Sequence, residues 1–497
     1  MIGTFWALVP PIIAIVLALA TKEVYFSLLI GILSGALFFT GFGIADSLET
    51  TFTIMADKVG GNMNIIIFLV LLGMIVALVT KSGASRAYGD WASKRITSKK
   101  GAMLATAGLG ILIFVDDYFN CLTVGTVMKP VTNRYNITRA KLAYIIDATA
   151  APICIIAPVS SWAAAVGSSL PEESAIDGFS LFLQTIPFNL YALLTIFMVF
   201  FLIVFQFDFS KMHKYELENA GHEEVMDADV QEVADSKGKV KDLIIPVICL
   251  IIFCICGMLY TGGIMDGVGI VEAFANCNSS LSLVLGAFFT IILIAVMYLP
   301  RRIVSFNEFA ASLVEGFKAM VPAILILTFA WTLSGICGSD YLNAGGYVAE
   351  AVGGSSIGMA LIPAIFFIVS LGLGFATGTS WGTFGILIPI IVAIFGDVES
   401  SMLVISVAAC LSGAVCGDHI SPISDTTILS STGAGCNHLE HVSTQIPYAM
   451  LVALCSFIGY FISGFTGNGW LGLITGFVLL LAALCIAYKK SKKQQAV

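Results

Sequence analysis

The sequence predicts an all-α polytopic membrane protein made of two inverted repeats, each with a re-entrant hairpin and a broken helix. Three observations carry this reading. Of 497 residues, 58% are hydrophobic and only 11% charged, with a mean hydropathy of +0.96, too few charges to cover a soluble surface of this length. Several long apolar segments are interrupted by polar stretches, the most polar being "GDHISPISDTT" (417–427). The same order of segments also recurs on either side of one charged linker.

Taken in order, apolar runs of about crossing length lie near 5–20, 24–44, 64–80, 180–205, 243–260, 281–299, 313–336, 446–465 and 469–488. The first has no basic flank or small-residue cleavage site and reads as a retained span. Four further segments, 101–130, 139–168, 357–396 and 401–433, are interrupted. "VDDYFN" (115–120) divides 101–130 into arms of 15 and about 11 residues, and the second is too short to cross alone at 1.5 Å per residue. A hairpin is expected there, and 357–396 has the same shape.

With both hairpins non-crossing, about 11 crossings remain, and the basic residues test that count. With the N-terminus outside, Lys22, Lys81 to Lys100, Arg134, Arg139, Lys141, the linker, Arg301, Arg302 and the tail "KKSKK" all fall inside. Of 24 Lys and Arg residues only Lys58 lies outside; "PEESAIDG" and "GSDYLNAGGYVAEAVGGSS", both outer loops, contain none. Such a bias sets orientation and places the linker and C-terminus in the cytoplasm.

The expected divisions are a first repeat (1–205), a charged cytoplasmic linker (206–242), a second repeat (243–468), and an extra span with a basic tail (469–497). Each repeat reads as three spans, a hairpin, a broken helix and a further span. "TVGTVMKP" (123–130) echoes "TFGILIP" (383–389), and "IIAPVSSW" (155–162) echoes "HISPISDT" (419–426). Five crossings per half is odd, so the second half must be inverted, as in many secondary transporters with a midplane site.

Uncoiled backbone at membrane depth is tolerated only in protein or beside an aqueous cavity, so the four breaks are expected to meet near the midplane. Pro158 and Pro422 help hold them open. The first hairpin brings Asp116, Asp117 and Asn120, and the first broken helix Ser160 and Ser161. The second hairpin brings Thr377, Thr379 and Ser380, and the second broken helix Asp418, His419, Ser421, Ser424, Asp425, Thr426 and Thr427. Carboxylate, hydroxyl and carbonyl oxygens suit a small cation. One Na+ cage is expected from Asp425, Ser424 and Thr426 with Thr377, Thr379 and Ser380, and a second from Asp116 or Asp117 with Asn120, Ser160 and Ser161. A carboxylate that holds either Na+ or H+ gives exchange by competition, because burial favours its protonated form and a bound cation its ionised form. Asp147, in "YIIDATAAP", is a further acid in an apolar stretch.

Plainer roles stand beside these. Asp116 and Asp418 are either ligands or caps of half-helix N-termini; Asp147 is either a site residue or a packed structural acid. His419 is a proton carrier or an interfacial histidine. His438 and His441 in "CNHLEH" have metal-like spacing that arises readily by chance. Single hydroxyls bond back to helix carbonyls, and glycine runs such as "GILSG" (31–35) serve close packing. The 12 cysteines sit mostly in apolar runs, with no paired CxxC spacing and no disulfide framework. No GxxxxGK[ST] loop is present, so neither an enzyme nor an ATP-driven pump is expected, and no cofactor beyond Na+ as the coupling or transported ion.

"GDHISPISDTTILSSTGAG" resembles the signature region of the NhaC-type sodium/proton antiporter family, within the ion transporter superfamily. "DDYFNCLTVGTVMKPVT" and "AYIIDATAAPICIIAPVSSW" resemble the matching first-half motifs, and the similarity covers nearly the whole chain. The resemblance implies a scaffold domain that mediates homodimers and a transport domain that carries the hairpins and broken helices and moves like an elevator. Ser424-Asp425-Thr426 resembles the Ser-Asn-Thr motif of related divalent-anion/sodium symporters with a carboxylate added, whereas Ser160-Ser161-Trp162 departs from it. The departure argues against a fully symmetric pair of sodium sites. The expectation is Na+/H+ exchange across the cytoplasmic membrane. The alternative is sodium-coupled movement of an amino acid or small carboxylate, held by half-helix N-termini in a pocket walled by Trp162 and Trp381.

Overall fold

The computed structural model describes residues 1–21, 23–170, 176–219, 237–270, 273, 276–338, 340–344, 347, 356–395, 400–422 and 424–495. The expectations placed on Lys22, on most of "PEESAIDG" and "GSDYLNAGGYVAEAVGGSS", and on the middle of the charged linker lie outside the described residues. Among the described residues, regular structure is helical throughout. Eight helices are long and apolar enough to cross a bilayer, or nine when Gly178–Phe188 and Leu190–Phe205, bent by 45°, form one span. The protein is therefore a polytopic membrane protein.

The first half contains α1 (Val9–Thr21), α2 (Val24–Phe39), α3 (Ile44–Gly61), α4 (Met63–Ser82), α5 (Ala84–Arg95), α6 (Lys99–Leu112) and α7 (Asp117–Arg134). It continues with α8 (Arg139–Asp147), α9 (Ala151–Cys154), α10 (Ser161–Gly167), α11 (Gly178–Thr185), α12 (Leu190–Phe205) and α13 (Ser210–Asn219). The second half contains α14 (Val240–Thr261), α15 (Ser279–Tyr298), α16 (Phe306–Cys337), α17 (Ser356–Thr377), α18 (Ser380–Phe395), α19 (Ser401–Ile420), α20 (Asp425–Ala434), α21 (His438–Thr466) and α22 (Gly469–Gln495).

Four departures from the sequence reading have local causes. The helix continues through Pro130, so α7 is 18 residues long rather than about 11. At about 1.5 Å per residue this approaches bilayer thickness, and the short-arm argument for the first hairpin loses its premise. In the second half, both α17 (over Gly358–Thr377) and α19 are long enough to cross alone. The amphipathic α3 buries Ser47, Thr51 and Ile54 on one face, a helical spacing in a stretch too charged to count as a span. Finally, the first broken helix breaks twice: α8 stops at Asp147, before Pro152 opens α9, and the chain uncoils again before α10.

The helices pack as two groups. In one, α4 crosses α16 and α15, α14 pairs with α15, and α1, α2 and α3 complete the layer. A Cβ on Gly73 of α4 would overlap the backbone of Gly316 on α16 and the Met320 side chain, so the two helices touch main chain to main chain at Gly73. The expected packing role of "GILSG" holds, since a Cβ at Gly31 would lie 2.9 Å from the Ala14 Cβ. In the other group, α17 and α18 pack on α19, α6 and α8 pack on α7, and α12 and α21 pack around α19. α20 of the second half lies directly on α7 and α8 of the first. All 12 cysteines are free.

Candidate ion-binding site

Four helices begin at the polar breaks, and their first turns use the candidate residues. Asp116 Oδ1 accepts from the Phe119 N–H at 2.9 Å, Ser160 Oγ from Ala163 N–H at 3.1 Å and Ser424 Oγ from Thr427 N–H at 3.2 Å. These are N-caps that satisfy otherwise orphaned donors. Asp116 is thus a cap, but Asp418 is not: it lies in the last turn of α19, where its Oδ2 accepts from Ser380 Oγ at 2.8 Å. The residues after the caps, Asp117, Ser161 and Asp425, together with Ser380, are the first of α7, α10, α20 and α18, where a carboxylate is favoured by the helix dipole.

Backbone bonds tie the start of α10 to the turn before α7, and the start of α20 to the turn between α17 and α18. Ser161 N–H donates to Val115 O at 2.9 Å and Asp425 N–H to Gly378 O at 3.4 Å; Gly378 has φ +66°, a turn that favours glycine. Across the halves, Tyr118 OH donates to Asp425 Oδ2 at 3.4 Å. Tyr118 lies in the electrostatic field of Asp425, Asp117, Asp418 and Asp116 alike, so the four acids share one neighbourhood. Asp116, Asp117 and Asp418 are buried and Asp425 is exposed. The Asp425 charge also acts on Tyr25 at the start of α2, in the other helix group. Among the described residues, no Lys or Arg forms an ion pair with any of the four acids.

Several buried oxygens here have no hydrogen-bond partner: Asn120 Oδ1, Ser161 Oγ, Thr379 Oγ1 and Asp418 Oδ1. Each comes from a different one of the four breaks. Ser161 Oγ stands beside the Asp116 carboxylate but not at hydrogen-bonding geometry. The amide nitrogen of Asn120 is structural, donating to Gly110 O at 2.7 Å, Ile113 O at 2.9 Å and Thr149 O at 3.2 Å, which leaves its oxygen facing away. Thr377 bonds back to Leu373 O at 2.8 Å, the local role that isolated hydroxyls often take, and Thr426 Oγ1 lies 3.1 Å from Ser424 Oγ. Trp162 and Trp381, one from each half, meet edge to face at 6.1 Å with Phe384 beside both; the Trp162 indole N–H stands beside the Asp117 carboxylate but not at hydrogen-bonding geometry, and the Trp381 indole N–H has no acceptor.

Asp147 is held elsewhere: its Oδ2 accepts from Gln445 Nε2 at 2.6 Å and lies 3.4 Å from His441 Nε2. His419 Nδ1 meets Tyr191 OH at 3.1 Å. His438 turns to Ser431 and to Pro422 O, away from His441, and among the described residues no three His, Cys, Asp or Glu side chains are arranged to hold a metal ion. Tyr118 and Gln445 were missed in the sequence. Tyr118 had a signal, a polar aromatic in the first turn after "DD"; Gln445 had only its place as an amide inside an apolar run.

A helical membrane fold with acids gathered at helix breaks, none of them ion-paired to Lys or Arg among the described residues, fits a secondary transporter. A sequence model of the Na+/H+ antiporter family matches residues 164–465. The chain belongs to the Na+/H+ antiporter family. It is 41% identical to an uncharacterized protein of Haemophilus influenzae over 98% of this chain and 96% of that one. It is also 31% identical to the malate-2H(+)/Na(+)-lactate antiporter of Bacillus subtilis, over 33% of this chain and 34% of that one. Among solved structures, it resembles the YdaH transporter of Alcanivorax borkumensis (TM-score 0.56, 15% identity, 87% of this chain and 90% of that one). It also resembles MtrF of Neisseria gonorrhoeae (TM-score 0.54, 15% identity, 88% and 84%). At these identities the likeness is one of fold.

Proposed function

We propose that this protein exchanges Na+ for H+ across the cytoplasmic membrane, with Asp117 and Asp425 carrying the exchanged charge. The observation that carries the reading is the gathering of four carboxylates that, among the described residues, form no ion pair with a Lys or Arg. Charge balance at that depth must then come from a bound cation or from protons, and the two compete for the same oxygens. Asn120 Oδ1, Ser161 Oγ, Thr379 Oγ1 and Asp418 Oδ1 add unpartnered oxygen ligands. The Na+ sets are Asp117, Asn120, Ser160 and Ser161 from the first half, and Thr379, Ser424, Asp425 and Thr426 from the second, with Ser160 and Ser424 acting mainly as caps.

The proposal includes two inverted repeats (1–205 and 243–468), about 11 crossings with two hairpins, and an outer N-terminus. The matching element order in the two halves and the one-sided distribution of Lys and Arg support it. Elevator movement of the second helix group against a dimeric first group is supported by the packing of α7 and α20 into one body and by the main-chain contact of Gly73 and Gly316.

A second reading, sodium-coupled movement of an amino acid or small carboxylate, is favoured by one observation. Trp381 offers a buried N–H donor without an acceptor, which a bare cation cannot use and a carboxylate can. Proteoliposomes with an internal pH dye and a sodium pulse separate the two. Sodium-dependent proton flux that disappears in Asp425→Asn supports exchange. Sodium that moves no protons but drives uptake of a labelled carboxylate or amino acid overturns it.

A further inference from the structure

Asp147, His441 and Gln445 are at most 1% exposed. Asp147 Oδ2 accepts from Gln445 and faces His441 Nε2, which also lies 3.1 Å from Ser430 Oγ. Asp147 Oδ1, His441 Nδ1 and Gln445 Oε1 have no partner. An ionised carboxylate in such a place needs a positive neighbour, and among the described residues no Lys or Arg forms an ion pair with Asp147. The imidazole is the neighbour that touches it. The pair is electrically neutral when it holds a single labile proton beyond Asp147 carboxylate and neutral imidazole, and it changes charge by one when that proton leaves.

We propose that Asp147 and His441 form a proton-binding site, separate from the four-break site, that exchanges one proton as the transporter works. Its connections run to that site by hydrogen bonds. The second Gln445 N–H donates to His419 O at 2.8 Å, in the last turn of α19 next to Asp418. Two residues beyond Asp147, Thr149 O accepts from Asn120 Nδ2. Proton occupancy at Asp147 and His441 is thereby linked to the two elements that present Asp418 Oδ1 and Asn120 Oδ1, and linkage between sites is reciprocal.

Other ionisable groups facing the pair come from several elements. α19 supplies His419 and, beyond it, Asp418; α7 supplies Cys121; and α12 supplies Tyr191 through His419. α20 supplies the hydroxyl of Ser430, and α9 supplies Cys154 beside Cys121. On α21 itself His438 faces Ser431 and Pro422, and α13 engages Thr138 through Glu216 and Glu440 through Tyr215. α17 has no ionisable side chain. Of these groups only His441 bonds directly to the Asp147 carboxylate.

The proposal does not rest on the identity of the transported solute, and its test needs neither sodium nor flux. The full-length protein, with its five histidines labelled with ¹⁵N, is titrated in nanodiscs, and the His441 signal is assigned by its loss in His441→Gln. Expected is a His441 titration whose midpoint moves by about 1 pH unit or more in Asp147→Asn, the size of effect a charge at contact distance exerts. A midpoint unmoved by Asp147→Asn, or a His441 that keeps one charge state throughout, overturns the proposal. Should Asp147→Asn fail to fold, potentiometric proton counting decides. His441→Gln should bind about one proton fewer than the parent across the same range, and an unchanged count overturns the site. Loss of sodium-driven proton flux with both titrations intact would instead count against the exchange reading alone.

Discussion

Gly125 on α7 and Gly433 on α20 touch backbone to backbone, and a Cβ built on Gly125 would overlap the Gly433 main chain. This is where α7 of the first half carries α20 of the second, about two turns from Asp117 and Asp425. A Cβ on Gly433 would come within 2.7 Å of Cys121 O, so the crossing has no room for a methyl group. Gly433→Ala and Gly125→Ala should each lower stability by about 1–3 kcal/mol. Thermal unfolding in detergent measures this, and unchanged melting of both variants contradicts the close crossing.

Asp116 and Asp117 are neighbours with different duties, and substitutions should separate them. Asparagine caps a helix about as well as aspartate, whereas alanine costs about 1 kcal/mol. Asp116→Asn should therefore melt like the parent and Asp116→Ala below it. Asp117→Asn should keep the fold and lose sodium-dependent proton flux. Flux in Asp117→Asn equal to the parent would remove Asp117 from the exchange step.

Tyr118 joins the halves through one hydroxyl at 3.4 Å from Asp425. Deleting it in Tyr118→Phe removes a hydrogen bond to a charged group, about 1.5 kcal/mol, equivalent to roughly tenfold in affinity. Apparent sodium affinity, read from the sodium dependence of flux, should weaken by that order. An unchanged sodium dependence would leave Tyr118 a bystander.

A buried ion pair closes the start of the linker. Lys141 is 2% exposed, pairs with Asp208 at the start of the linker, and lies 5.6 Å from the ring centroids of both Tyr144 and Tyr448. Tyr448 OH also donates to Asp208 Oδ1 at 2.6 Å. Removing one partner of a buried pair leaves an uncompensated charge, at a cost of about 3–5 kcal/mol. Asp208→Ala should melt many degrees below the parent, while Lys141→Met with Asp208→Leu should recover much of the loss. A single variant as stable as the parent would show that the pair contributes nothing.

Legibility differed with the range of the interaction. The breaks at 115–116, 378–379 and 421–424 were readable because aspartate pairs, glycine and proline disrupt a helix locally, and the residues that cap α7, α10 and α20 were all among the candidates. The uninterrupted run of α7 past Pro130 was not, because a single proline near the end of a helix displaces few bonds and packing on α20 holds the helix on. The second break of the first broken helix was hidden too: "DATAAP" has helix-forming alanines, and Thr149 reaches Asn120 only in three dimensions. Asp147 was visible as an acid in an apolar run, but its partners His441 and Gln445 lie nearly 300 residues away on α21, a pairing that no local pattern encodes.

Gly73 and Gly316 remain to be considered as a landmark. Two helices that meet main chain to main chain at one point, with the Met320 side chain beside it, resist rotation there, since any turn brings backbone onto backbone. That seam is the natural origin from which displacement of every other helix should be measured. The proposed movement of α7 and α20 is read from spectroscopic labels on them when their distances are taken to a point beside it.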